Sequence, residues 1–208
     1  MLARLKRRIL GLFFYVPCRF TKREWDSQYS AGRWDLLKRA DEFAHNNMIA
    51  GYCRRYGASR SVIDLCCGEG VLQETFGAGA YERYLGVDIS EEAIRRAKSR
   101  ETPGTSFVCD NIATFAPAQR FDAIVFNECL YYFDAPLEVI KRYEAYLNDT
   151  GIFVVSMYVE KQTHRIWKML DTAYAIEDAV KVTSRSGISW IVKVLRPRRH
   201  STAGIAVA

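Results

Sequence analysis

Long apolar runs are missing from this chain of 208 residues. The apolar stretch at 9–16 falls well short of the roughly 20 residues that a bilayer-spanning helix needs. The residues after it, PCRF, offer no small-residue cleavage site, so we expect no ordinary secretory signal. Internal repeats are missing too, so we expect one domain with short additions.

The cysteines lack the paired spacing of a metal site. Several of them lie inside apolar strand patterns. The six are Cys18, Cys53, Cys66, Cys67, Cys109 and Cys129. We interpret them as reduced thiols in a core, which is typical of cytoplasmic proteins. The sequence therefore predicts neither a metal site nor a disulfide framework.

Acidic residues are missing from 1–23, although that segment carries seven Lys and Arg residues. Further basic residues lie in the tail, at Arg196, Arg198 and Arg199. The formal net charge of +6 therefore belongs to the ends of the chain, and the middle is nearly balanced. Nucleic acid is disfavoured as a partner, because a nucleic-acid-binding domain carries its basic patch on the domain itself.

Residues 1–20 form a basic amphipathic segment. Apolar residues recur there at spacings of three and four: Leu2, Leu5, Ile9, Leu12 and Val16. This pattern fits a helix in peripheral contact with an anionic membrane, and it fits equally a helix packed on the domain. We therefore expect a cytoplasmic protein, either free or peripheral to the inner face of the membrane.

The most informative stretch begins with a short apolar strand that ends at Asp64. A loop with Gly68 and Gly70 follows, and then a helix-like segment. A second apolar strand, 84–87, ends on another acid, Asp88. Strand, glycine loop, helix, strand and acid together indicate the nucleotide-binding half of an open α/β sheet, because a tight glycine turn lets a ligand approach the backbone.

The acid on the first strand indicates which nucleotide fits. A dinucleotide fingerprint has a third glycine where this chain has Gln73, and Asp64 would repel a pyrophosphate. S-adenosylmethionine instead carries a sulfonium and an ammonium group, and both suit Asp64. The stretches VIDLCCGEG and YLGVDIS resemble the first two motifs of class I S-adenosylmethionine-dependent methyltransferases.

This resemblance implies an α/β fold with a Rossmann-like, seven-stranded, mostly parallel sheet, helices on both faces and a C-terminal antiparallel hairpin. It also implies that the acid ending the second strand holds the ribose hydroxyls, and that the acid ending the third holds the adenine amino group. The residues that match the cofactor-binding positions are Asp64, Cys66, Gly68, Asp88, Ile89, Asp110, Asn111, Asn127 and Tyr29.

The remaining segments fit the same plan. Residues 21–56 are predicted to form a helical lid, 57–195 the methyltransferase core and 196–208 a disordered tail. The lid carries aromatic residues that could cover a sulfonium by cation–π contact: Trp25, Tyr29 and Trp34.

Hydrophobic periodicity predicts the remaining elements. We expect strands at 106–109, 123–126, 152–157, 179–183 and 188–195, helices at 36–56, 137–147 and 164–174, and a turn at 148–151. The helix 36–56 is expected to bury Leu37, Ala40, Ala44, Met48 and Tyr52, with His45 exposed or structural.

The fourth strand ends in Asn127 and Glu128. The loop there lacks the Asn/Asp-Pro-Pro-aromatic motif that holds a flipped base, and it lacks the Pro-Cys nucleophile of cytosine methylases. The run Glu-Cys-Leu-Tyr-Tyr resembles the corresponding stretch of nodulation-type N-methyltransferases, which act on sugar amines. Glu128, Tyr131 and His164 are the candidates for holding or deprotonating the acceptor.

The sequence thus favours an S-adenosylmethionine-dependent methyltransferase that acts on nitrogen or oxygen of a small-molecule or glycan-like acceptor. Methyl transfer from a sulfonium requires alignment more than covalent chemistry, so we expect no metal. A non-catalytic, membrane-associated protein that retains the fold is the alternative, and a nucleic-acid methyltransferase is the third and weaker option.

Overall fold

The computed structural model describes residues 20–57, 60–77 and 79–198. The segment predicted to touch a membrane therefore lies outside the described residues, except for Phe20. Most of the predicted tail also lies outside them. Within the described residues, no helix is both long and apolar enough to cross a bilayer.

A single sheet of seven strands organises the chain. In chain order the strands are β1 Ser61–Leu65, β2 Arg83–Asp88, β3 Thr105–Cys109, β4 Phe121–Asn127, β5 Leu147–Tyr158, β6 Tyr174–Thr183 and β7 Ser189–Pro197. Their spatial order is β3-β2-β1-β4-β5-β7-β6. The pairs from β3 to β5 are parallel, whereas β7 runs antiparallel to both β5 and β6. The predicted mostly parallel sheet and C-terminal hairpin are confirmed.

Six α-helices connect and cover these strands within the described residues. They are α1 Lys22–Ser30, α2 Ala40–Tyr56, α3 Val71–Phe76, α4 Glu91–Ala97, α5 Pro136–Arg142 and α6 Lys161–Ala173. Thr21 and Glu24 form a capping box at the start of α1, and the Ser90 side chain caps α4. These caps satisfy backbone N–H groups that the first turn of a helix leaves unpaired.

The core is divided between the two faces of the sheet, because neighbouring side chains on a strand point to opposite faces. Val62 belongs to one apolar cluster and Ile63 to the other. Helix α2 adds Ile49 to the first cluster, and α6 adds Ile166 to the second. Helices therefore cover both faces of the sheet, as predicted.

The prediction of one helix over 36–56 was wrong at its start. Residues Asp35–Lys38 form a separate 3₁₀ helix, and Arg39 is extended, with φ −77° and ψ 156°. The predicted buried face was wrong at Ala40 and Ala44, which are exposed, whereas Tyr52 is buried as predicted. The buried residues of α2 are instead Glu42, His45, Asn46, Ile49, Ala50, Tyr52 and Cys53. The first half of this helix turns polar side chains inward, which core packing alone does not explain.

Two boundaries near the end of the chain also differ from expectation. Residues 148–151 were predicted as a turn, but they lie within β5, where the register with β4 shifts between Phe121 and Ala123. A local bulge absorbs these extra residues without ending the strand. Strand β7 continues to Pro197, so the first two residues of the predicted tail belong to the sheet.

Gly86 lies in β2, where a Cβ would stand 2.4 Å from Cδ1 of Phe107 and 2.8 Å from Sγ of Cys67. We expect Gly86→Ala to lower the free energy of unfolding by about 1–3 kcal/mol, because the buried Phe107 ring must move. Urea unfolding followed by circular dichroism measures the change.

Gly51→Ala is the matched control for this substitution. Gly51 lies within α2, and a Cβ there meets no atom within 4 Å. Alanine should raise stability by about 1 kcal/mol, because glycine is the poorer helix former. Equal effects of the two substitutions would contradict the packing described around Phe107.

Candidate functional site

A cavity of about 1360 Å³ lies at the carboxyl ends of the parallel strands. Its lining includes residues at the ends of β1, β2 and β4, together with the lid residues Trp25, Tyr29 and Trp34. Ligands of open α/β sheets bind at this edge, where the strand order reverses around the first strand. A second cavity, of about 490 Å³, lies at the amino ends of the strands, beside Arg60 and Glu82.

The glycine-rich loop after β1 turns through left-handed backbone conformations. Cys66, Gly68 and Gly70 have φ angles of 64°, 56° and 78°. The backbone N–H groups of Cys66 and Cys67 both donate to the carbonyl oxygen of Val87, at 2.7 and 3.1 Å. These bonds tie the loop to the end of β2.

Gly68 is constrained from both sides. Its backbone N–H donates to Oδ2 of Asp88 at 2.9 Å. A Cβ at Gly68 would stand 2.8 Å from the hydroxyl oxygen of Tyr29. The absence of a side chain therefore lets Tyr29 of the lid lie directly against the loop.

Asp88 ends β2 and is buried. Its Oδ1 accepts a hydrogen bond from the Ser90 backbone N–H at 2.9 Å, in addition to the bond from Gly68. Burial raises the pKa of Asp88 to about 6, and the two backbone bonds oppose that rise. Each carboxylate oxygen retains a lone pair for a ligand hydroxyl.

Asp64 lies within β1 and is also buried, with the hydroxyl of Tyr84 donating to its Oδ2 at 2.7 Å. Among the described residues, its buried Oδ1 has no hydrogen-bond partner. Burial raises the pKa of Asp64 to about 7, and the charge of Asp88 adds to the rise. A cationic hydrogen-bond donor in the cavity would favour the ionised form.

The structure brings together eight of the nine predicted cofactor-binding residues. The eight that line the cavity are Tyr29, Asp64, Cys66, Gly68, Asp88, Ile89, Asn111 and Asn127. Asp110 is exposed and lies outside this lining, and its Oδ1 accepts a hydrogen bond from the Asn111 backbone N–H at 2.6 Å. Of the three strand-end carboxylates predicted to bind the cofactor, only Asp64 and Asp88 therefore line the cavity.

Polar contacts fasten the predicted lid segment to the core. Oδ1 of Asp26 accepts hydrogen bonds from the Ser90 hydroxyl at 2.7 Å and the Glu92 backbone N–H at 3.2 Å. Lys38, just after the lid aromatics, forms an ion pair with Glu69 of the glycine loop at 2.5 Å. These contacts connect α1 and the 3₁₀ helix to the loop and to the start of α4.

Glu128 follows β4 and has a left-handed backbone conformation, with φ 56°. The hydroxyl of Tyr131 donates to Oε2 of Glu128 at 3.0 Å. The residue is only half-buried, but Oε1 is shielded from solvent. Burial raises the pKa of this carboxyl to about 8, whereas hydrogen bonds from Tyr131, the Tyr158 backbone and Ser156 oppose the rise.

Sequence reasoning missed the polar face that α2 turns toward this part of the cavity, formed by Glu42, His45 and Asn46. Their spacing of three and four was the available signal. His45 is buried rather than exposed, and its ring stacks on Trp190 with centroids 4.5 Å apart. Burial lowers the pKa of His45 to about 4, so this ring is neutral at physiological pH.

His164 does not share this environment. It lies on the exposed face of α6 and outside the lining of the cavity, whereas its helical neighbours Gln162 and Thr163 are buried. The histidine predicted from its position after β5 is therefore turned out of the site by the rotation of α6.

A family model described as a methyltransferase domain matches residues 23–194. Nodulation protein S of Bradyrhizobium diazoefficiens is 30% identical over 132 residues, which cover 62% of this chain and 59% of that protein. Trans-aconitate 2-methyltransferase of Acidovorax sp. (strain JS42) is 29% identical over 127 residues, covering 58% of this chain and 48% of that protein. The chain spans about half the length of these curated relatives.

Solved structures show the same fold. The N-methyltransferase NodS from Bradyrhizobium japonicum WM9, in complex with S-adenosyl-l-homocysteine, superposes with a TM-score of 0.69 at 21% identity. The superposition covers 84% of this chain and 100% of that chain.

Glu128 should make stability depend on pH. Between about pH 7 and pH 8 the folded protein retains a proton on this carboxyl, whose pKa is about 8, whereas the unfolded chain has released it. The unfolded chain then binds fewer protons, so stability falls as the pH rises, by at most about 1.4 kcal/mol per pH unit. Glu128→Gln, which resembles the protonated form, should flatten this slope in urea unfolding measured at both pH values.

Glu128 has the highest of these raised pKa values and contributes most of the slope between pH 7 and pH 8. Asp88 and Asp64 act in the same direction, with pKa values of about 6 and about 7, so Asp64 adds a smaller slope at the start of this window. His45 acts in the opposite direction, below about pH 6.5. The exposed Glu138→Gln is the control and should retain the wild-type slope. A Glu128→Gln slope equal to that of wild type would contradict the burial assigned to this carboxyl.

Proposed function

The chain belongs to the methyltransferase domain family, and from that premise we propose that it transfers a methyl group from S-adenosylmethionine to nitrogen or oxygen of a small molecule, glycan-like molecules among them. The observation that carries the proposal is one continuous cavity. The glycine loop, Asp64 and Asp88, which we assign to the donor half of the cavity, line the same space as Glu128 and Tyr131, which we assign to its acceptor half.

The donor half fits a cationic nucleoside. Oδ1 of Asp64 is a buried acceptor without a partner among the described residues, and an ammonium group would supply the missing donor. Asp88 would hold the ribose hydroxyls with the lone pairs that its two backbone bonds leave available. When bound, S-adenosylmethionine supplies an activated methyl group on a good leaving group.

The protein's contribution is alignment and exclusion of water, because in-line displacement needs little covalent help. The lid supplies the cover: Trp25, Tyr29 and Trp34 line the cavity, and Trp25 also contacts the Tyr132 ring edge-on, with centroids 5.0 Å apart. In this proposal α1 therefore shields both halves of the cavity.

The acceptor needs a lone pair, and we assign its deprotonation to the ionised form of Glu128, which becomes the major form only above about pH 8. A carboxylate with a raised pKa is a stronger base than an ordinary one, and the bond from Tyr131 fixes its orientation. Tyr131 acts here as a positioning residue. The exposed His164 has no part in this mechanism.

The names of the relatives favour a small molecule over a macromolecule, since one is a trans-aconitate methyltransferase. The membrane-associated alternative rested on residues 1–20, which lie outside the described residues apart from Phe20. A nucleic-acid acceptor gains no support, because Glu128 and its neighbours lack the base-holding proline loop.

Binding of the donor product tests the proposal. We expect Asp88→Ala to weaken S-adenosylhomocysteine binding at least tenfold in isothermal titration calorimetry, because two ribose contacts are lost. Asp149→Ala, an exposed acid outside the cavity lining, is the control and should bind like wild type. Equal binding by Asp88→Ala and wild type would contradict the assigned donor site.

Asp110→Ala extends the same titration to the third strand end. The exposed position of this carboxylate predicts a smaller loss than that of Asp88→Ala. A loss of affinity as large as that of Asp88→Ala would mean that Asp110 contacts the donor despite its exposed position.

Methyl transfer itself is tested with tritiated S-adenosylmethionine and cell extract fractionated into lipid, glycan, RNA, protein and small molecules. We expect label in the small-molecule or glycan fraction, with Glu128→Gln reducing it. Label confined to RNA or protein would overturn the proposed acceptor class.

A further inference from the structure

We propose that the exposed face of α6, together with the apolar side chains beside it, is a docking surface for an anionic membrane. The basic part of this face consists of Lys161, Arg165 and Lys168, and Met169 follows directly. The docking surface stands independently of the proposed function. It borders the candidate site, because Lys161 also lines the cavity.

The two faces of α6 differ in charge. The buried residues are Gln162, Thr163, Ile166, Trp167 and Leu170. The exposed residues are Lys161, His164, Arg165, Lys168, Met169 and Thr172. The helix has a single acid, Asp171, and its carboxylate pairs with Lys193 of β7 at 2.5 Å. The exposed face therefore carries Lys and Arg but no acid.

The cations of this face have no acidic partner in the part of the chain that the structure describes. Neither Lys161, Arg165 nor Lys168 forms an ion pair with a described residue. In α4, by contrast, Arg96 pairs with Glu92 at 2.7 Å. Like charges at spacings of three and four weaken a helix. The basic row of α6 is therefore unfavourable for the fold unless a negative partner offsets it.

The order of charges along α6 also differs from that of the other helices. Within the described residues, each of the other five α-helices has Asp or Glu in its first turn, where the helix dipole favours an acid. The first turn of α6 has no acid and begins with Lys161. The N-cap residue Glu160 is engaged in a capping box with Thr163. An external negative charge would favour the Lys161 position.

Exposed apolar side chains favour a membrane over other polyanions. Met169 is 40% exposed beside Lys168, and Val159, which is 45% exposed, lies two residues before Lys161. On an anionic membrane, Lys and Arg meet the headgroups while neighbouring apolar side chains enter the boundary with the acyl chains. RNA or an acidic polypeptide would satisfy the charges but offers no such apolar phase.

The basic ends of the chain border the same region. Phe20, which lines the cavity together with Lys161, follows residues 1–19, and these hold five Lys and Arg and no acid. At the other end of the chain, Nη2 of Arg198 donates to the backbone carbonyl oxygen of Asp171 in α6 at 3.4 Å. The positive excess at the chain ends would therefore add to the potential that attracts an anionic surface.

Vesicle co-sedimentation of the full chain tests this docking surface. We expect binding to phosphatidylcholine vesicles that contain about 30% phosphatidylglycerol, weakening as salt is added, and little binding to phosphatidylcholine alone. The double variant Arg165→Gln/Lys168→Gln should bind the anionic vesicles about twentyfold more weakly, because each cation near such a surface contributes roughly fivefold in affinity.

The matched control is Lys181→Gln/Arg185→Gln, which removes the same two charges from exposed positions on β6 and the turn after it. It should change vesicle binding less than about twofold. A second pair tests the apolar contribution. Met169→Ser should weaken vesicle binding about threefold or more, because its side chain enters the boundary, whereas Ile176→Ser, an equally exposed position on β6, should not.

Vesicle binding by Arg165→Gln/Lys168→Gln equal to that of wild type would overturn the proposal, even if residues 1–19 bind the membrane. Equal binding to neutral and anionic vesicles, or to neither, would overturn it as well. A preference for poly-glutamate or RNA over anionic vesicles would assign the face to an acidic protein or a nucleic acid instead. S-adenosylhomocysteine binding should be unchanged in every variant, since none of the altered residues lines the cavity. Failure of the wild-type chain to bind it would count against the proposed function alone.

Discussion

The site depends on carboxylates held away from water at one edge of the sheet. Asp64, Asp88 and Glu128 each have a raised pKa, and burial is the largest cause in every case. An uncompensated buried charge is costly, so each group is partly satisfied by one or two hydrogen bonds from the protein. The satisfaction is incomplete for Asp64, whose Oδ1 is left without a partner among the described residues. The fold thus maintains an environment that a ligand with positive charge would stabilise.

The glycine loop makes this arrangement compatible with a lid. Gly68 donates its N–H to Asp88 while the Tyr29 hydroxyl occupies the space that a side chain at Gly68 would need. On the far side of Asp88, the Ser90 hydroxyl donates to Asp26 of α1. The acid that ends β2 is therefore bounded by two contacts between core and lid. Movement of α1 would therefore change the solvation of Asp88 directly. The position of α1 and the environment of this carboxylate are coupled in this way.

The strand-end acids and the glycine loop could be predicted because their signal is local and parallel strands bring their carboxyl ends to one edge. The positions of Asp110 and His164 could not be predicted in this way. The direction in which each side chain points depends on the register of β3 for Asp110 and on the rotation of α6 for His164. The inner face of α2 was the largest error. An amphipathic pattern predicts apolar residues inside, yet Phe43 is 67% exposed while Glu42 and His45 are buried. The pattern fails there because the first half of α2 faces a cavity. Several distant segments of the chain form that cavity, so it cannot be predicted from the helix sequence alone.

Helix α2 combines two environments along its length, and this division has a consequence for the site. Its second half places Ile49 and Cys53 in the apolar cluster with Val62 and Val125 of the sheet. Its first half carries Glu42 and His45 into the cavity. Core packing therefore fixes the position of Glu42 and His45 in the cavity wall, because a closely packed interior resists displacement. The predicted lid segment is held separately, through the polar contacts of Asp26 and Lys38 with the core.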